Sequence, residues 1–112
     1  MDTFASFLKR GDRVLDAGCG SGTKSRYLAG KGLSIVGIDI SERMIEIARH
    51  EVPDGEFLVM NMRDTEKLDK NFDGAFLEAS LLHIPKHDVD SVLKSVSDTL
   101  KEGGFMYVSV KE

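Results

Sequence analysis

The segment that most limits what this chain can become is Val14-Leu15-Asp16-Ala17-Gly18-Cys19-Gly20-Ser21-Gly22. Here an apolar run passes into three glycines at alternate positions and then into a helical pattern. Gly18 and Gly20 let the backbone turn sharply and let a ligand lie against bare main chain, because no Cβ obstructs either. Gly22 is expected to let the next helix start close to the sheet. A strand closed by such a turn and opening a helix is a βα unit, and the rest of the chain repeats that unit.

Ahead of it, Thr3 to Lys9 reads as a short helical lead-in, with Phe4, Phe7 and Leu8 on one face, broken by Gly11-Asp12. Arg13 to Ala17 is the first strand and Thr23 to Lys31 the first long helix, ended by Gly32 through a positive φ. Ser34 to Ile40 is a second strand. Ser41 caps a helix that runs to about His50. Pro53-Asp54-Gly55 turns into a third strand, Glu56 to Met60, with Asn61 to Asp64 at its carboxyl end. Lys67 to Asn71 is polar connection, Phe72 to Leu77 a fourth strand and Ser80 to His87 a loop. Asp88 to Leu100 carries Val89, Val92, Leu93, Val96 and Leu100 at helical spacing, and Gly103-Gly104 turns into a last strand, Phe105 to Val110. Short apolar runs alternating with helical patterns predict an α/β fold with a parallel sheet. Right-handed crossovers with a switch point beside the first strand give an open doubly wound, Rossmann-like sheet of order 3-2-1-4-5. Ligands in such sheets bind outside the carboxyl ends of the strands.

With 112 residues the chain makes one domain, residues 1-112, with a modest core. Its net charge is -4 and no basic block exceeds Lys9-Arg10, which argues against a track for nucleic-acid phosphates. A single cysteine allows no internal disulfide and fits a reducing cytoplasmic setting. There is no signal-peptide layout, and no apolar run approaches the ~20 residues that span a bilayer. No membrane partner and no metal ligand set are expected.

Asp16 narrows the ligand. An acid two positions before the first glycine repels a pyrophosphate and favours a ligand carrying an ammonium and a sulfonium, as S-adenosylmethionine does. Two phosphate-binding readings fail on the same residue: Thr23 stands where G-x-G-x-x-G needs a small third glycine. In Gly18 to Ser25 (GCGSGTKS) it also replaces the second glycine of a P-loop.

At this point the sequence resembles the class I S-adenosylmethionine-dependent methyltransferases. Asp16, Gly18, Gly20 and Gly22 match that family's D-x-G-x-G-x-G. Gly37-Ile38-Asp39-Ile40-Ser41 is similar to its second-strand end, with Asp39 21 residues after Gly18. Asn61-Met62-Arg63-Asp64 resembles its D-M-R-D stretch, with an amide in place of the first acid. Phe72-Asp73-Gly74 and Leu100-Lys101-Glu102-Gly103-Gly104 resemble its fourth-strand entry and the L-K-x-G-G before its fifth strand. The resemblance implies that Asp39 takes both ribose hydroxyls, as a carboxylate with two oxygens can. It implies that Ile40 and Met44 pack on the adenine ring, and that Asn61 and the backbone amide of Met62 meet the adenine edge. Glu78 and His83 follow the fourth strand, near where a methyl acceptor would sit; Glu78 is read as a contact of the ligand site and His83 as a helix-entry residue.

Plainer roles stay open for several of these residues. Asp39 competes with Ser41 as a helix cap, Asn61 can be an ordinary turn residue, Ile40 and Met44 can be core, and Cys19 reads as a small buried filler. No residue is assigned a catalytic role. Leu77 to His83 (LEASLLH) lacks the N-P-P-[YF] signature for planar nitrogens, which with the negative charge favours a small-molecule methyl acceptor. The family's complete sheet has seven strands, ordered 3-2-1-4-5-7-6. The resemblance therefore implies a chain that supplies the cofactor-binding half, lacks the sixth and seventh strands, and has little or no turnover by itself; the rival reading is a non-catalytic S-adenosylmethionine-binding or structural fragment of a larger methyltransferase. Phe105 to Val110 would then be an open edge suited to self-association.

Overall fold

A computed structural model describes residues 2–68, 71–79 and 88–110. The elements run α1 (Asp2–Ser6), β1 (Arg13–Ala17), α2 (Thr23–Gly30), β2 (Ser34–Asp39), α3 (Glu42–Glu51), β3 (Glu56–Val59), a 3-10 helix (Met62–Lys67), β4 (Phe72–Ala79), α4 (Val89–Ser97) and β5 (Leu100–Val110). The five strands form one parallel sheet in the order β3-β2-β1-β4-β5, as the alternating pattern predicts. β1 is the switch point, paired with β2 on one side and β4 on the other.

Successive strand residues face opposite sides of a sheet, so a strand covered on both faces is apolar throughout. Val14 and Leu15 show the consequence. Val14 joins a cluster with Phe4, Leu28, Ile35, Ile45 and Phe57, beneath α1, α2 and α3. Leu15 joins Val36, Ile38, Phe72, Val92 and Val96, beneath α4. The fold is therefore doubly wound, with two cores separated by one sheet.

Several boundaries differ from the sequence expectation, each for a local reason. α1 stops at Ser6, because Asp12 turns the chain back by accepting the Lys9 amide at 2.8 Å. Phe4 is buried there, but Phe7 is 69% exposed, so the two do not share the core face. α2 ends at Gly30 in a Schellman arrangement: Leu33 N–H bonds to Leu28 C=O and Gly32 N–H to Ala29 C=O, with Gly32 at φ +86° as expected. α4 ends at Ser97, not Leu100. The buried Thr99 hydroxyl and amide both donate to Val96 C=O, at 2.6 and 3.1 Å, and draw the chain out of the helix. Leu100 then opens β5 opposite Phe72, and the ladder jumps from that pair to Gly74 opposite Phe105. Lys101 to Gly104 form the irregularity between, with Gly103 at φ +84°. β4 extends two residues past Leu77. The 3-10 helix is not among the sequence expectations, which place Asn61 to Asp64 at the third strand's carboxyl end and Lys67 to Asn71 in polar connection. The loop expected at 80–87, with His83, lies outside the described residues.

Candidate functional site

The carboxyl ends of β1, β2 and β3 meet around the glycine turn. Gly18, Gly20 and Gly22 all have positive φ, +79°, +55° and +88°. The turn is fastened to the end of β2, where Ile38 C=O accepts both the Gly18 and Cys19 amides, at 2.8 and 2.9 Å. A Cβ on Gly20 would meet nothing within 4 Å, so this backbone faces open space, as a surface against which a ligand can lie. Gly22 differs. A Cβ there would come within 3.1 Å of Ala48 Cα and Cβ, so what it admits is the close approach of α3. The expectation that Gly22 serves packing against the sheet is corrected accordingly.

Asp39 closes β2, and its carboxylate is held from two sides. One oxygen accepts the Gly20 amide and the other the Ser41 amide, both at 2.9 Å. Ser41 is the cap of α3, its hydroxyl accepting the Met44 amide at 3.3 Å. Asp39 is thus a clamp between two turns and not the cap. A carboxylate has about four acceptor positions, so two bonds leave room for others.

Asp16 lies deeper, 2% exposed, where it accepts the buried Ser25 hydroxyl at 2.6 Å. It sits under the turn, and its charge is felt there. Burial first, and then the negative charges of Asp16 and Asp39, push the Cys19 thiol from 9.0 up to about 12. Cys19 is therefore a buried neutral thiol, in keeping with the filler reading.

Beyond Asp39 the surface turns apolar. Ile40 is 72% exposed and Met44 37%, which removes the core-only reading for both. Val59 at the end of β3 is also exposed. Asn61 caps the 3-10 helix, its side-chain oxygen accepting the Arg63 amide at 3.0 Å. The partly buried Met62 side chain packs against the α4-side core. Glu78 belongs to β4, in register with Ser109 of β5. Among the described residues no group of three or more His, Cys, Asp or Glu could hold a metal, and no helix is long and apolar enough to cross a membrane.

Gly18, Gly20, Gly22, Asp39, Ile40, Met44 and Asn61 thus follow the carboxyl ends of β1, β2 and β3, with Asp16 buried beneath the turn. Sequence reading missed Ser25, although a signal existed: it shares a helical stripe with Leu28, where a polar residue must find a buried partner. It also missed Val59, Asp64 and Lys67, which with Ile40, Met60 and Asn61 line a hollow of about 310 Å³.

A glycine turn and a strand-end acid at a topological switch point lie where doubly wound α/β domains bind their ligands, and comparison with known proteins narrows the class. The model of the methyltransferase domain family matches residues 14–104. The Bacillus subtilis protein named "Putative methyltransferase YqeM" is 36% identical over 111 residues, covering 95% of this chain and 44% of that protein. The ubiquinone biosynthesis O-methyltransferase of Pseudomonas aeruginosa is 31% identical over 102 residues, covering 88% of this chain and 44% of the enzyme. The crystal structure of a SAM-dependent methyltransferase from Methanosarcina mazei superposes with a TM-score of 0.86 at 32% identity, covering 96% of this chain and 56% of that one. The chain belongs to the methyltransferase domain family, in the class I, Rossmann-like group. It spans less than half the length of the curated relatives it matches.

Proposed function

We propose that this chain binds S-adenosylmethionine across the carboxyl ends of β1, β2 and β3 and serves transfer of its methyl group to a small molecule. The observation that carries the reading is the Asp39 carboxylate, fixed by the Gly20 and Ser41 amides with acceptor capacity to spare. That is the group two ribose hydroxyls require. The bare backbone at Gly20 and the apolar lip of Ile40 and Met44 suit the rest of such a ligand.

In this reading Gly18, Gly20 and Gly22 shape the turn that receives the methionine portion. Asp16 acts through its field, favouring the ammonium and sulfonium from beneath the turn. Ile40 and Met44 cover the adenine ring, while Asn61 and the Met62 amide meet its edge. Glu78, at the end of β4, stands on the side towards the acceptor. When bound, the cofactor supplies a methyl group activated by its sulfonium. The chain's own part is to orient that group and to keep competing water away, the main sources of catalysis for such a transfer.

The small-molecule acceptor is supported by the relative that acts in ubiquinone biosynthesis and by the net charge of -4, which disfavours a polyanionic partner. Titration of S-adenosylmethionine into the native chain and into Asp39→Ala tests the binding. Binding confined to the native chain supports the reading, and no binding by folded native protein refutes it.

A further inference from the structure

Charge is unevenly spread along the chain. Residues 1–38 hold six Lys or Arg against three Asp or Glu, whereas residues 39–112 hold nine against sixteen. No acid stands between Ala17 and Ile38. α2 crosses this stretch and presents its cations. Thr23, Tyr27 and Lys31 follow one another at i,i+4 spacing, with Arg26 and Gly30 beside them. These five line an open hollow of about 460 Å³ on the side of the helix away from the buried Ser25 and Leu28. Gly30 leaves a gap in that face, since a Cβ there would meet nothing within 4 Å. The Lys31 ammonium lies 5.4 Å from the centre of the exposed Tyr27 ring. Arg10 extends the row of cations. Its side chain lies across Gly32, where a Cβ would come within 2.6 Å of the Arg10 Cγ.

We propose that this face of α2 docks a short acidic segment of a partner polypeptide. An apolar side chain of the partner sits against Tyr27 at the Gly30 gap, and carboxylates on either side of it reach Arg26 and Lys31. Three cations, an aromatic ring and a gap in one helix face are the complement of such a segment. Arg26 is already shared with Glu51 at 3.3 Å, but both side chains are exposed and the pair is weakly held. A guanidinium also has further donors to offer. A long polyanion suits the face less well, because the acidic remainder of the chain repels whatever runs on past α2. An anionic membrane needs more exposed apolar surface than one tyrosine supplies. Thr23 follows the glycine turn directly and lines the hollow, so the partner lies beside that turn. Docking here is independent of what the turn binds.

The test uses a dye-labelled helical peptide of about fifteen residues, with glutamates one turn to either side of a leucine, and a twin with glutamine for glutamate. Anisotropy is followed on adding the native chain, Arg26→Glu, Lys31→Glu, Gly30→Leu and Lys94→Glu, each shown folded by circular dichroism. Lys94→Glu makes the same change in net charge at an exposed position on α4. The native chain should bind the acidic peptide at least about tenfold more tightly than its twin, and Arg26→Glu and Lys31→Glu should each weaken that binding by about tenfold. Gly30→Leu fills the gap without altering charge and should weaken it by about threefold or more. Lys94→Glu should leave it within about twofold. No binding of the acidic peptide by folded native protein would overturn the proposal. So would unchanged binding in Gly30→Leu, or a loss in Lys94→Glu as large as in Arg26→Glu, which would assign the effect to net charge alone. Tighter binding of an oligodeoxythymidylate of matched charge would also overturn it, assigning the face to nucleic acid.

Discussion

Cys19 shows how the site's charges act on a single residue. It sits at a turn beside a helix N-terminus, a setting that often activates a thiol. Here burial and the two nearby carboxylates act the other way and hold the proton to about 12. The folded protein should therefore resist iodoacetamide at pH 8, and alkylation should appear only with unfolding; rapid labelling of native protein would contradict this. The sign for stability follows. The thiol's folded value lies above its ordinary 9.0, so its contribution is complete below pH 9 and is lost as pH rises from there towards about 12. Cys19→Ser or Cys19→Ala should flatten that alkaline fall in a pH series of denaturation midpoints.

At the scale of elements, the glycine turn is where three structures depend on one another. Gly22 joins β1 to α2 and is also the point where α3 comes closest to the turn. Gly22→Ala must place a Cβ at φ +88° and 3.1 Å from Ala48, so backbone strain and overpacking add. A loss of about 1–3 kcal/mol is expected in urea denaturation, whereas Gly20→Ala, which meets no atom, should cost less through its φ alone. The turn, the strands and the capping role of Ser41 were readable because each is written locally: glycine at positive φ, apolar runs of strand length, and a hydroxyl before a helix. What was not readable depended on distant partners. Leu100 fits the helical stripe of α4, yet pairing with Phe72 and the Thr99 bonds to Val96 make it the start of β5. Asp88, read as the first residue of that helix, instead precedes it and is held by Arg63 at 2.7 Å. The helical stripe marks Ser25 as needing a buried partner, but that this partner is Asp16, nine positions earlier, is not written locally.

At the scale of the whole molecule, the sheet brings the glycine turn, Asp39 and Asn61 to one end, because all five strands run parallel and their carboxyl ends coincide. The glycines and Asp39 could be placed at that end from sequence, since they are tied to strand ends. The 3-10 helix and the Asn61 cap could not be, since they depend on how the chain leaves β3. Among the described strands β5 is an edge, with Tyr107 and Val108 exposed beside its unpaired backbone groups. We propose that the 112-residue chain pairs with a second copy through this strand. Sedimentation velocity should then show a dimer whose population rises with concentration and falls on Val108→Lys; a monomer at all concentrations would count against it.

The central claim is that Asp39 and the glycine turn hold S-adenosylmethionine, and calorimetric titration of that compound into the purified chain tests it most directly. The account predicts a dissociation constant on the order of micromolar, weakened at least about tenfold in Asp39→Ala by loss of two charge-assisted hydrogen bonds, with both proteins folded by circular dichroism. No binding by the folded native chain, or equal binding by the variant, would contradict it.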